Sequence, residues 1–245
     1  MKLYTRSWGA GPHVAVLLHG MMGDSRSWWQ VGPALAERGY RALAVDLPGH
    51  GRSPGSERAT VESFVTSLLE TVPAEPALAI GQSMGGSILA AAVDRLEPRR
   101  AVYVDTPFGA TPATNTDTAA LSAGYTASKR QRTMENLRRD RPWWSETDMR
   151  VEAEAARCFD VPTAAAVSAS AAGRDFTPTA AIPSLMIRPE PSDYVSPADA
   201  AGLEAVGFSV RSVPGAGHTV WYGHVEQFMT ALDDWLRADH PTRPR

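Results

Sequence analysis

Four runs of almost purely aliphatic residues constrain this 245-residue chain more than any other feature. They are Val14-Ala15-Val16-Leu17-Leu18, Ala42-Leu43-Ala44-Val45, Ala77-Leu78-Ala79-Ile80 and Ala101-Val102-Tyr103-Val104, and each runs directly into a Gly, Asp or Thr-Pro turn. A strand with one wet face alternates apolar and polar residues. A run without alternation belongs to a strand covered on both faces, the condition of a parallel sheet between layers of helix.

Amphipathic stretches fill the intervals. Val61, Phe64, Val65, Leu68, Leu69 and Val72 recur at helical spacing, and so do Ile88, Leu89, Ala92, Val93 and Leu96. Buried strand followed by one-sided helix predicts an α/β fold with a mostly parallel central sheet and helices on both faces. Ser184-Leu185-Met186-Ile187 and Phe208-Ser209-Val210 continue the strand series. Between them, Ser196-Pro197-Ala198-Asp199 is a helix start, with Ser as N-cap, Pro at the first position and an acid at the third. A last helix carries Val225, Phe228, Leu232, Trp235 and Leu236 on one stripe, and Asp239 to Arg245 reads as a frayed tail. Met1 to Arg6 alternates as a short strand.

From about Pro107 to Ile182 the rhythm breaks into Ala-, Arg- and Glu-rich helical sequence without a convincing strand. The expected organisation is therefore a core of residues 1–106 and 183–245, interrupted by a helical cap over 107–182. The cap's arginines (Arg130, Arg132, Arg138, Arg139, Arg141) are balanced by as many acids, which favours a solvated helix face over an anion site.

Composition excludes several classes of partner. Apolar residues at 43% and charged residues at 21% are those of a globular domain. A net charge of -3 argues against nucleic acid, which needs a concentrated basic face. Cys158 is the only cysteine, so no intramolecular disulfide is possible, and it reads as a small, partly buried hydrophobe. With no apolar run of signal-peptide or membrane-spanning character, a cytoplasmic protein with no membrane partner is expected. Neither a Cys/His cluster nor an H-E-x-x-H pattern points to a metal.

The chemistry lies at the ends of the strands. Gly81-Gln82-Ser83-Met84-Gly85 matches G-x-S-x-G and sits where that pattern acquires meaning, after one strand and before a helix. A sharp strand-to-helix turn forces its central residue into a strained conformation, and side chains at the flanking positions would strike backbone. Ser83 then stands above the sheet as a nucleophile, with the helix N-terminus favouring negative charge beside it. A second N–H donor is expected from His19-Gly20-Met21-Met22-Gly23, making the backbone amides of Met21 and Met84 the candidate oxyanion hole and leaving both side chains free to line a pocket.

Four segments together resemble the α/β-hydrolase family over nearly the whole chain: His19-Gly20-Met21 with Trp28-Trp29 downstream, Asp46-Leu47-Pro48-Gly49-His50-Gly51-Arg52-Ser53, the elbow around Ser83, and Gly215-Ala216-Gly217-His218. The resemblance implies structural roles for Asp46 and His50, and a cap that shapes the pocket. It also implies His218 as the base that takes the serine proton, and an acid in the loop after the strand at 185–187. Asp193 occupies that place, although Arg188-Pro189-Glu190-Pro191-Ser192-Asp193-Tyr194 lacks the family's Gly and is stiffened by prolines. Glu190 and Asp105 are the alternatives, Asp105 because some relatives supply the acid from the earlier strand.

Three functions fit these residues: cofactor-free hydrolysis of an ester, lactone or thioester by a Ser-His-Asp triad; cofactor-free cleavage of a carbon–carbon bond in a β-diketone-like small molecule; and ligand binding with slow or no turnover. A serine at the elbow argues against the dehalogenase and epoxide-hydrolase branches, which use a carboxylate. Phe108, Trp143, Trp144 and Phe159 in the cap, with Trp28 and Trp29 opposite, are candidate pocket residues for an apolar or aromatic substrate.

Overall fold

The computed structural model describes residues 1–109, 114, 116–179 and 181–238, so the tail expected from Asp239 lies outside the described residues. Among these, seven strands form one sheet: β1 (Thr5–Trp8), β2 (His13–Leu18), β3 (Tyr40–Val45), β4 (Leu78–Gln82), β5 (Ala101–Val104), β6 (Ser184–Glu190) and β7 (Ser209–Pro214). Their order is β1-β3-β2-β4-β5-β6-β7, with β1 antiparallel to β3 and every other pairing parallel.

The absence of alternation in the strand sequences has a direct physical cause. Val16 and Leu18 of β2 belong to one core, with Phe64, Leu68, Ile88 and Leu89, while Ala15 and Leu17 belong to another, with Leu35, Trp28 and Trp235. Helices α2 (Val61–Thr71) and α3 (Met84–Leu96) cover the first face, and α1 (Val31–Glu37) and α9 (Val225–Arg237) the second. Each fully buried aliphatic side chain contributes about 1.5–3 kcal/mol on either face. The strands can therefore be apolar throughout.

Among the described residues, four helices lie between β5 and β6: α4 (Thr118–Gln131), α5 (Met134–Asp140), α6 (Glu146–Arg157) and α7 (Val161–Ala171). Polar contacts tie α6 to the loop after β2. Arg26 pairs with Asp24 at 2.6 Å and Glu154 at 2.8 Å, and the Trp29 indole donates to Asp148 at 3.1 Å. Arg132, Arg138 and Arg139 pair with Glu152, Glu146 and Asp140, so the basic cluster of this segment is largely neutralised within it. Cys158 is exposed at the end of α6, not partly buried as its type suggested, because the helix presents its C-cap to solvent.

The helix start at Ser196 forms as its sequence requires. In α8 (Pro197–Ala205) the Ser196 hydroxyl accepts from the Asp199 N–H, and the Asp199 carboxylate accepts from the Ser196 N–H. No helix among the described residues is long and apolar enough to cross a membrane.

Candidate active site

The elbow is as tight as its glycines allow. β4 ends at Gln82, α3 begins at Met84, and Ser83 alone makes the turn, with φ 52° and ψ -120°. Its N–H donates to Val104 O at 3.0 Å, binding the turn to the end of β5. A Cβ on Gly81 would lie 2.5 Å from Gly85 O, and one on Gly85 would lie 2.4 Å from both Leu18 O and His19 O. These are backbone obstacles, so no side-chain adjustment relieves them. The first N–H groups of α3, Met84 included, have no partner within the helix and point their dipole at the turn.

The turn after β2 stands beside this elbow. His19 is fully buried; its Nδ1 donates to Gly20 O at 2.8 Å and its Nε2 accepts from the Leu47 N–H at 3.0 Å, which fixes one tautomer. Asp46 holds the adjoining loop by accepting from Ser25 N at 2.6 Å and Arg52 N at 2.8 Å. His50 Nδ1 bonds Pro48 O at 2.9 Å. These side chains hold loops.

Burial pushes the His50 imidazole down to about 3, and the neighbouring His19 adds to this; burial also lowers His19 itself. Their ring centroids are 4.9 Å apart. The unfolded chain takes up protons on these histidines below about pH 6.5, whereas the folded chain resists until near pH 3 for His50. Stability is thus full above pH 6.5 and falls as pH drops through that window. Lowering pH from 7.5 to 5 is expected to cost about 2 kcal/mol through His50 in urea unfolding. His50→Phe should show a smaller fall than the wild type, and an equal fall in both proteins rules His50 out as its source.

His218 follows β7, and its Nδ1 lies 2.6 Å from Asp105 Oδ2. Asp105 is fully buried at the end of β5 with φ 43°, and its N–H donates to Ile187 O at 2.9 Å. The acid beside His218 is therefore Asp105, correcting the expectation of Asp193. The reason is the length of β6: its pairing with β7 continues through Pro189 and Glu190, beyond the Ile187 at which the sequence pattern ends. The following loop then turns Ser192 inward and leaves Glu190 and Asp193 exposed.

Ser192 itself donates to Asp105 Oδ1 at 2.5 Å and accepts from the N–H groups of Tyr194 and Val195. The Tyr194 ring lies against His218, centroids 4.1 Å apart at 30°. Gln82 completes the frame. Its Nε2 donates to His218 O at 3.3 Å, and its Oε1 occupies the space where a Gly20 Cβ would stand, 2.1 Å away. One amide thus lies between the turn after β2 and the histidine loop, next to Ser83. Sequence reasoning missed Ser192, Tyr194 and Gln82; only Gln82, inside the elbow motif, carried a local signal.

An apolar cavity of about 210 Å³ opens beside Met21 and Met84, whose side chains line it with Val61, Ile88, Val167 and Phe176. The aromatic residues expected to form the pocket are elsewhere. Trp28 is fully buried under the sheet, stacked on Trp221 at 4.2 Å, and Trp144 packs edge-on to Tyr222 in the same core, against which Trp29 also lies. Phe108 packs on Tyr103 and Phe208, and Phe159 on Met22 and Ala164. Large rings gain most from complete burial, and the fold has used them as core. Trp143 alone is exposed, at 43%, near Gly217 beside His218.

Residues 15–231 match the Alpha/beta hydrolase family, and the chain belongs to that family. Mouse Protein ABHD14A is 49% identical over 59 residues, 23% of this chain and 24% of its own length. The pimeloyl-[acyl-carrier protein] methyl ester esterase of Methylococcus capsulatus is 38% identical over 88 residues, 36% of this chain and 34% of its own. The chain thus spans a quarter to a third of the length of these two curated relatives. The enol-lactonase of Burkholderia xenovorans LB400 has the same fold, with a TM-score of 0.77, 22% identity, and 96% of each chain covered.

Proposed function

We propose that this protein is a serine hydrolase that cleaves an ester, lactone or thioester of a small apolar acyl group through an acyl-enzyme on Ser83. The observation that carries the reading is the conjunction of a serine held at positive φ on a strand–helix turn with a buried Asp105 paired to a half-buried His218. A serine hydroxyl is a poor nucleophile until a base removes its proton, and an imidazole is a good base only when its other nitrogen is held as N–H. Asp105 accepts from Nδ1 and so leaves Nε2 as the basic nitrogen.

In the proposed first half-reaction Ser83 Oγ bonds to the substrate carbonyl carbon while His218 Nε2 takes the hydroxyl proton. The carbonyl oxygen becomes an oxyanion between the Met21 and Met84 N–H groups, at the positive end of α3. Collapse breaks the bond to the leaving group, which departs with the proton from His218. Water then attacks the acyl-enzyme, giving one proton to His218, which passes it to the Ser83 oxygen as the acid leaves. The serine proton lost with the leaving group is thus replaced by one from water, and no cofactor enters the balance.

Cleavage of an ester and of a lactone by similar proteins supports this substrate class. The volume of about 210 Å³ lies below the usual range for drug-sized ligands and favours short acyl groups. The aromatic pocket that suited a diketone is absent from the cavity lining.

A fluorophosphonate probe is expected to label the wild-type protein once, at Ser83 by peptide mapping. A series of p-nitrophenyl acyl esters, with a lactone, a thioester and one aromatic diketone beside it, is expected to give turnover of the short acyl compounds. Labelling of Ser83 separates an active hydrolase from a bare binding protein. Absence of both labelling and turnover identifies a binding protein and overturns the proposal.

A further inference from the structure

Among the residues lining the cavity next to Met21 and Met84, one is charged: Arg174. Its segment is pinned to the core where Phe176 N–H donates to Phe108 O at 2.8 Å, and its guanidinium lies over the Phe176 ring, 5.2 Å from the centroid. The nearby carboxylates are engaged elsewhere. Glu62 is paired with Arg95 at 2.6 Å, and Asp175 accepts the Thr177 N–H at 2.8 Å. Among the described residues no ion pair uses Arg174.

A cation held over an aromatic face at the edge of an apolar cavity, in no ion pair and drawn only at longer range to the exposed Glu62, attracts an anion more strongly than the same cation in open solvent, because the cavity wall screens poorly. The planar fork also matches a carboxylate with two parallel N–H···O bonds. We infer that Arg174 recognises a carboxylate on the acyl portion of the substrate, at the end remote from the scissile carbonyl. The inference rests on the hydrolase reading above. The assignment to the acyl side follows from proton transfer and from the proposed oxyanion hole: the leaving group must lie against His218, which protonates it, whereas the cavity, whose lining has neither His218 nor Ser83, is bounded by Met21 and Met84, the residues whose N–H groups would hold the carbonyl oxygen. Arg174 is exposed, so water competes for it and its contribution is limited.

The test compares the mono-p-nitrophenyl ester of glutarate with p-nitrophenyl pentanoate, which has the same chain length and no terminal charge. In the wild type the ratio of kcat/KM, charged over neutral, is expected to exceed that of Arg174→Ala by about tenfold or more, through KM, the scale of one charge-assisted contact. Arg174→Lys should fall between them, and Arg174→Glu below Arg174→Ala. Equal ratios in wild type and Arg174→Ala overturn the inference while leaving the hydrolase standing. A parallel measurement separates the two readings: calorimetric binding of monomethyl glutarate and methyl pentanoate to Ser83→Ala, with and without Arg174→Ala. Preference for the charged compound that vanishes with Arg174 supports the anion site even if neither ester is turned over; no preference overturns it.

Discussion

Ser83→Ala is expected to lower kcat for a p-nitrophenyl ester by roughly four to six orders of magnitude, the loss seen when a triad's nucleophile is removed. The companion variant Ser83→Gly distinguishes chemistry from architecture. Ser83 sits at φ 52° and ψ -120°, where an L-residue is strained by about 1–3 kcal/mol and glycine is not. Glycine costs about 0.5–1 kcal/mol in extra unfolded-chain entropy, so Ser83→Gly should be inactive yet at least as stable as the wild type. Urea unfolding and ester turnover measured on the same samples test both halves. An inactive protein that is also several kcal/mol less stable means that the serine is needed for the fold, and the inference from strain to chemistry fails.

The sheet was legible because its signal is local. Two-sided burial removes polar residues from β2, β3, β4 and β5 over four or five consecutive positions, and each run is bounded by a turn residue. The elbow was legible for a similar reason: Gly81, Ser83 and Gly85 lie within five residues, and their steric demands are met by residues within one turn or in the adjoining strand. The acid was not legible, since which carboxylate meets His218 depends on how far β6 runs alongside β7, and Pro189 and Glu190 give no sign that pairing continues through them. The pocket failed for a different reason. A tryptophan gains from burial wherever it is buried, so Trp28 and Trp144 carry the same sequence signal in a core as in a substrate site. The cavity walls proved to be residues such as Met84, Ile88 and Val167, whose helical spacing predicts burial but not an empty space beside it.

Asp105→Asn is expected to lower kcat by about four orders of magnitude while leaving the fold intact. The buried Asp105 carboxylate accepts at both oxygens, from His218 Nδ1 at 2.6 Å and from the Ser192 hydroxyl at 2.5 Å. An asparagine of the same shape keeps one acceptor and replaces the other with an NH₂ donor. If that donor faces His218, the imidazole must accept at Nδ1, its remaining proton moves to Nε2, and it can no longer take the proton from Ser83. If the amide turns over, its NH₂ meets Ser192, which must then give up either that contact or the Tyr194 and Val195 amides it accepts from. The loop and the Tyr194 ring against His218 would shift with it. Ser192→Ala, which removes the second contact together with the acceptor for the Tyr194 and Val195 N–H groups, should cost far less, about tenfold, because the donor lost to the carboxylate is neutral and the tautomer is kept. Asp193→Asn changes an exposed side chain and should leave kcat within about twofold, as surface substitutions usually do. The order of the three variants is therefore the measurement: a large loss at Asp193 with little at Asp105 would mean that the loop after β6 reorganises in solution and that the buried carboxylate is structural.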